Sequence, residues 1–191
     1  WWVVSLAAYR AWGGSRHSAS RTAEIETSGA RKVVIQAAAG DLASPAYRNR
    51  QPFGQVPYME EPGRPPLFET GAIIIDVATR AGILLPSDER GRSLVNAWMI
   101  AALNSVEPAL MNVAEAEYFL EDEKQKNDRR PIVTRAAKQR LQQLAAALGD
   151  RQWLVGDAFT VADLMMASVL KIARNLGLMD NLPGLVAYQD R

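Results

Sequence analysis

The sequence of 191 residues contains no cysteine and a single histidine, His17. The absence of thiols excludes disulfide bonds, thiolate metal sites and a cysteine nucleophile. One histidine leaves little room for a zinc site or a Ser-His-Asp triad, and we expect His17 to be an exposed loop residue. The sequence therefore gives no reason to expect a metal.

Neither sign of charge is in excess, and long apolar runs are missing. The formal net charge is +1 at pH 7, and the basic residues form no stripe, which argues against nucleic acid or an anionic membrane as a partner. No apolar run approaches the ~20 residues that a membrane-spanning helix needs. The apolar stretch Trp1–Ala8 lacks the basic region and the cleavage site of a signal peptide. We therefore expect a cytoplasmic protein.

The composition changes near residue 86. Before this point the chain has β-branched runs, prolines and glycines, and after it the apolar residues recur with long helical periods. The change predicts an α+β fold in which a small sheet domain is followed by an all-α helical bundle. We place the first domain at residues 1–82, a linker at 83–87 and the helical domain at 88–191.

Turn and capping signals predict the elements of the first half. Ser44 precedes a proline, as an N-cap residue does at the start of a short helix. Val56–Met59 and Leu67–Phe68 are short extended segments on either side of a proline-rich turn. A helix is predicted from Thr70 to about Ala81, with Gly82 at its C-terminal end.

The second half is predicted to be helical almost throughout. Ser87 is the expected cap of a long helix over 88–123, which Pro108 should kink. The charged run at 121–130 is predicted to be a solvated loop, and a new helix is expected at 131–148.

Two short motifs in the first half resemble those of a known family. The run Pro52–Pro57 (PFGQVP) is followed by the pair Glu69–Thr70, which begins twelve residues after Pro57. This arrangement resembles the thioredoxin-like domain of cytosolic glutathione S-transferases of the bacterial type. These carry an Asn-Pro-x-Gly-x-Val-Pro run and then a Glu-Ser or Glu-Thr pair. The resemblance implies a thioredoxin-like N-terminal domain and glutathione as co-substrate.

The resemblance also implies a binding site for glutathione. The Val56-Pro57 bond would be cis, a conformation whose free-energy cost is small only before proline. It would turn the Val56 backbone toward the cysteinyl backbone of glutathione. Glu69 and Thr70 would meet the γ-glutamyl end at the start of a helix, where free amides favour a carboxylate. Gln55 would face the glycyl end. The implied site is therefore Gln55, Val56, Pro57, Glu69 and Thr70.

A motif in the second half is similar to the same family. Thr160 and Asp163 have the spacing of a capping box in front of the most apolar helix, predicted over 161–176. The run Trp153–Asp157 before this helix and the run Leu84–Pro86 in the linker also resemble family segments. We expect Thr160 and Asp163 to be structural.

The sequence departs from the family pattern in three places. Gln51 stands where the family usually has asparagine, and the chain stops before the family's usual last helix. The first 32 residues do not reproduce the usual first strand and helix, whose junction carries the residue that faces the glutathione sulfur. Ser15 and Ser18, which follow two glycines, are the candidates for this catalytic role.

The resemblance implies a glutathione transferase that activates the glutathione thiol for attack on a small hydrophobic electrophile. Family analogy adds a homodimer with a role in detoxification. The alternative is a non-catalytic glutathione transferase-like binding or assembly module, because the N-terminal third is atypical. A glutathione-dependent dehalogenase or isomerase on the same scaffold is a third hypothesis.

Overall fold

The computed structural model describes residues 41–191. Ser15, Ser18 and His17 lie outside the described residues. The chain divides into two compact units, which separate between Ile73 and Ile74.

The first unit contains two short helical turns and a small antiparallel sheet. Its elements are a 3-10 turn at Asp41–Ala43, helix α1 at Pro45–Arg48, strands β1 at Tyr58–Met59 and β2 at Leu67–Phe68, and the first residues of helix α2 at Thr70–Ala81. Ser44 caps α1 as predicted, since its hydroxyl accepts the Tyr47 N–H at 3.2 Å. In the sheet, Tyr58 is paired with Phe68 and Met59 with Leu67.

The second unit is helical, which confirms the prediction for this half of the chain. After the rest of α2, its elements are α3 at Glu89–Ala101, a π-helical turn at Ala102–Val106, α4 at Glu107–Tyr118, α5 at Glu123–Leu148, α6 at Val161–Asn175 and α7 at Pro183–Asp190. Helix α6 is buried along most of its length and lies in the core. None of the helices in residues 41–191 is both long and apolar enough to cross a membrane.

The charged stretch at 121–130 is helical from Glu123 onward, so the predicted loop is wrong. The Asp122 carboxylate accepts a hydrogen bond at 2.9 Å from the amide three residues later and so starts α5. Lys124 and Asp128 then form an ion pair at 2.7 Å across one helical turn. Pro131 lies inside α5 and does not begin it.

The predicted long helix is interrupted just before Pro108. The turn at Ala102–Val106 is π-helical, and the Glu107 N–H donates to the carbonyl of Ala102. Pro108 then occupies the first turn of α4, where its missing N–H costs little. The predicted kink is therefore a π turn followed by a new helix start.

The segment before α3 is fixed to the helical core. Asp88, and not Ser87 as predicted, caps α3, because its carboxylate accepts the Gly91 N–H at 2.7 Å. Leu84 has a positive φ of 60°, and its carbonyl accepts the N–H of Val161 at 3.0 Å. This bond joins the segment to the first residue of α6.

Candidate functional site

The sheet brings the two motifs of the first unit to one end of a strand pair. Pro57 directly precedes β1, and Glu69 directly follows β2. Because Tyr58 is paired with Phe68 in an antiparallel register, Pro57 and Glu69 lie beside each other at the same end of the ladder. Neighbouring strands are about 4.8 Å apart, so both motifs can contact one small ligand. The Val56-Pro57 bond is cis, as predicted.

Two buried side chains hold the backbone of Gln55. The Tyr47 hydroxyl donates to the Gln55 carbonyl at 2.5 Å, and the Gln55 N–H donates to the side-chain oxygen of Gln51 at 3.0 Å. Gln51 is only 1% exposed and Tyr47 only 6%. Gln51, which stands where the family usually has asparagine, thus provides a side-chain oxygen as the acceptor. The role of Tyr47 could not be predicted, because nothing in the sequence marks a contact across a loop.

The Tyr47 phenol is a hydrogen-bond donor at neutral pH. Burial raises the pKa of Tyr47, and the nearby Tyr58 raises the pKa further. The two rings meet edge to face, with centroids 5.2 Å apart. The hydroxyl therefore stays protonated while it donates to the Gln55 carbonyl.

Gly54 is required by the turn that leads into this segment. Its φ is 66°, and a Cβ atom at this position would lie 2.9 Å from the carbonyl oxygen of Leu42. An L-residue with a side chain is disfavoured by the φ value and would also collide with the backbone. The glycine of the PFGQVP run is therefore structural.

The start of α2 has the geometry of an anion site. Glu69 has a φ of 70°, a left-handed conformation that is uncommon for a residue with a side chain. Its carbonyl accepts the N–H of Ile73 at 3.0 Å, the first hydrogen bond of the helix. Within residues 41–191, no acceptor is paired with the N–H groups of Thr70, Gly71 and Ala72. The exposed residue Glu69 therefore directly precedes free amides at the positive end of a helix.

The capping box at Thr160 and Asp163 is present as predicted and belongs to the core of the second unit. The Asp163 carboxylate accepts the N–H of Thr160 at 2.9 Å. It also accepts the Leu154 N–H at 2.8 Å and the Tyr188 hydroxyl at 3.0 Å. Burial and the adjacent Asp163 raise the pKa of Tyr188. These contacts give Asp163 a structural role.

Ser15 and Ser18, the candidates for the sulfur-activating role, precede the described residues. In residues 41–191, no group of three or more histidine, cysteine, aspartate and glutamate side chains is arranged to hold a metal ion. The candidate site within residues 41–191 consists of the Gln55–Pro57 segment and the Glu69–Thr70 junction.

Solved structures that resemble the chain define its class of fold. One is a glutathione transferase from Burkholderia graminis with two glutathione molecules bound per subunit (TM-score 0.74, 23% identity, 82% of this chain and 70% of that chain covered). A second is a glutathione S-transferase from Pseudomonas fluorescens (TM-score 0.72, 22% identity, coverage 82% and 78%). A third is Ure2p in complex with glutathione (TM-score 0.73, 20% identity, coverage 82% and 78%). The chain therefore has the glutathione transferase fold.

The sequence of the C-terminal part matches a family domain. Residues 106–191 match the glutathione S-transferase C-terminal domain. No curated protein matches the chain by sequence. Residues 106–191 thus match the glutathione S-transferase C-terminal domain, and the chain shares the fold of solved glutathione transferases.

Proposed function

We propose that the protein is a glutathione transferase that binds glutathione through Gln55, Val56, Pro57, Glu69 and Thr70. The observation that supports this proposal is the register of the two-stranded sheet, which sets the segment before β1 beside the junction after β2. An extended peptide can then bind along the Val56 backbone as one more strand.

The chemistry of each end of glutathione matches a feature of this site. The glutamyl carboxylate would accept hydrogen bonds from the free amides at the start of α2. The Glu69 carboxylate would pair with the glutamyl ammonium, and the Thr70 hydroxyl would add a further polar contact. The strained φ of Glu69 supports a functional role, because left-handed non-glycine residues cost about 1–3 kcal/mol and cluster at ligand sites.

Catalysis requires a group that stabilises the glutathione thiolate. A thiol with a pKa near 8.5 is only a few per cent ionised at pH 7. Lowering this pKa by two units requires about 2.7 kcal/mol of preferential stabilisation of the thiolate. We propose Ser15 or Ser18 as the hydroxyl donor, on their position in the sequence alone. The thiolate then attacks the electrophilic carbon of a small hydrophobic substrate, so that a carbon–sulfur bond forms while the bond from that carbon to the leaving group, such as a halide, breaks and the leaving group departs with its electron pair.

The binding part of the proposal is tested by changing Glu69 and Thr70 to alanine together. The double variant should lose retention on immobilised glutathione, because each hydrogen bond to a charged group contributes roughly 1.5–3 kcal/mol. The matched control is Glu123→Ala with Thr134→Ala, the same residue types on α5, which should be retained like the parent. Full retention of the Glu69/Thr70 variant, or no retention of the parent, would overturn the proposed site.

A conjugation assay with a generic aromatic halide separates the two hypotheses for the function. Turnover of glutathione by the parent supports the transferase. Binding without turnover supports the alternative, a non-catalytic glutathione transferase-like binding or assembly module. The electrophile is then sought among small hydrophobic compounds by comparing kcat/KM.

The family analogy supports four further proposals. The first domain is proposed to be thioredoxin-like, and the protein is proposed to act in detoxification as a cytoplasmic homodimer. Sedimentation velocity of the purified protein tests the dimer directly, since a single species with the mass of one chain contradicts it.

A further inference from the structure

The peptide unit that joins Gln55 to Val56 is held from its carbonyl side. The Tyr47 hydroxyl donates to the Gln55 carbonyl at 2.5 Å. Because a peptide unit is planar and trans, fixing the direction of the carbonyl also fixes the direction of the Val56 N–H, which points the opposite way. The Val56 N–H donates no hydrogen bond to another group within residues 41–191.

The preceding peptide unit is held as well. The Gln55 N–H donates to the Gln51 side-chain oxygen at 3.0 Å. The two planes on either side of the Gln55 Cα atom are therefore each fixed by a buried side chain. Since only φ and ψ are soft in the backbone, both soft dihedrals of Gln55 are set before any ligand arrives.

We propose that Tyr47 and Gln51 are positioning residues that orient the Val56 N–H for a hydrogen bond to the cysteinyl carbonyl of glutathione. This inference rests on the proposed function, because it concerns the same site. A hydrogen bond to the carbonyl polarises the peptide unit and strengthens its N–H as a donor. Fixing the segment in advance also lowers the entropy cost of ordering it when the ligand binds.

The positioning role of Tyr47 can be separated from its packing. The Tyr47 ring contacts the Tyr58 ring edge to face at 5.2 Å, and the change Tyr47→Phe keeps this contact while it removes the hydroxyl. Burial raises the pKa of Tyr47, so the hydroxyl donates at every pH at which binding would be measured.

The test measures glutathione binding by calorimetry and follows the Val56 amide in spectra of 15N-labelled protein. Tyr47→Phe should weaken binding by about tenfold, the value of one ordinary hydrogen bond. The downfield movement of the Val56 amide proton on adding glutathione should also be smaller, which loss of packing alone would not cause. Tyr58→Phe is the matched control, since it removes a neighbouring hydroxyl that forms no hydrogen bond to Gln55, and it should bind like the parent.

The change Gln51→Leu should weaken glutathione binding in the same way. If the leucine variant does not fold, the binding of Tyr47→Phe alone tests the positioning role. The positioning role is overturned if Tyr47→Phe binds as tightly as the parent with the same Val56 shift, while the proposed function then stands. It is also overturned if Tyr58→Phe weakens binding equally. If the parent does not bind glutathione, the proposed function fails and this inference fails with it.

Discussion

Replacing Asp163 with alanine removes an acceptor that serves three separate segments of the helical unit. Its fully buried carboxylate accepts the N–H of Thr160 at the start of α6, the N–H of Leu154 in the preceding loop, and the hydroxyl of Tyr188 on α7. The role of Asp163 therefore extends beyond the capping box that its spacing predicts.

The expected loss of stability follows from the donors that would be left unpaired. A capping box alone contributes about 1 kcal/mol. Each buried donor without a partner costs about 1–3 kcal/mol, and Asp163→Ala leaves the N–H groups of Leu154 and Thr160 and the hydroxyl of Tyr188 without this acceptor. With some relaxation and entry of water, we expect a loss of about 3–5 kcal/mol, similar to breaking a buried charged contact.

Urea unfolding followed by tryptophan fluorescence measures this loss, because the ring of Trp153 lies 6.4 Å from that of Tyr188. The control is Asp157→Ala, an exposed aspartate in a nearby loop, which should change stability by no more than about 0.5 kcal/mol. If the alanine variant does not fold, Tyr188→Phe removes a single donor and should cost about 1 kcal/mol. A loss of 1 kcal/mol or less for Asp163→Ala would refute the network, and a selective loss of glutathione binding would refute its structural role.

Two further perturbations test the turn in the first unit and the end of the chain. Gly54→Ala should destabilise the protein by more than Gly63→Ala. Both glycines have positive φ, which costs an alanine about 1–2 kcal/mol. Of the two, only Gly54 would place the new Cβ against a backbone oxygen, that of Leu42 at 2.9 Å. Equal urea midpoints for the two variants would show that the loop moves to avoid this contact. The hydrogen bond from Arg174 lowers the pKa of Asp190 below its usual 3.8, so this pair stabilises the fold above pH 4 and the effect is lost as the pH falls through the lower folded-state value. Asp190→Asn should therefore lower the melting temperature at pH 7 more than at pH 3. If the melting temperatures of parent and variant differ by the same amount at both pH values, the ion pair does not stabilise the fold.

Features that depend on neighbouring residues could be predicted from the sequence. The cap at Ser44, the capping box at Thr160 and Asp163, and the end of α2 at Gly82 all have the predicted form. Each depends on backbone groups within a few residues, so its chemistry is visible in a short window. The buried residues of α5, Ala137, Leu141, Leu144 and Leu148, recur with the helical period and are visible in the sequence for the same reason.

Contacts between distant residues could not be predicted. The hydrogen bond from Tyr188 to Asp163 joins residues 25 apart, and it exists only because α7 packs on α6. The contact of Tyr47 with Gln55 depends on the path of a loop for which no periodicity gives a signal.

The predicted loop at the start of α5 is wrong because the helix accommodates both the charged residues and Pro131. The stretch is stabilised by residues elsewhere in the chain, since Arg129 and Arg130 form ion pairs with Glu115 and Glu117 of α4 at 2.7 and 2.9 Å. An interior proline costs about 3 kcal/mol in an isolated helix, but the rest of a 26-residue helix packed on a core can tolerate it.

The hydrogen bond from the Val161 N–H to the Leu84 carbonyl decides where this chain can be recombined with its relatives. A chimera that takes its helices from one parent and its connecting segment from another would separate the two partners of this bond. Leu84 and Leu85 also pack against the helical core, so their side chains have to match helices that come much later in the chain. The crossover point of such a chimera therefore belongs upstream of Leu84, and the connecting segment is inherited with the helices.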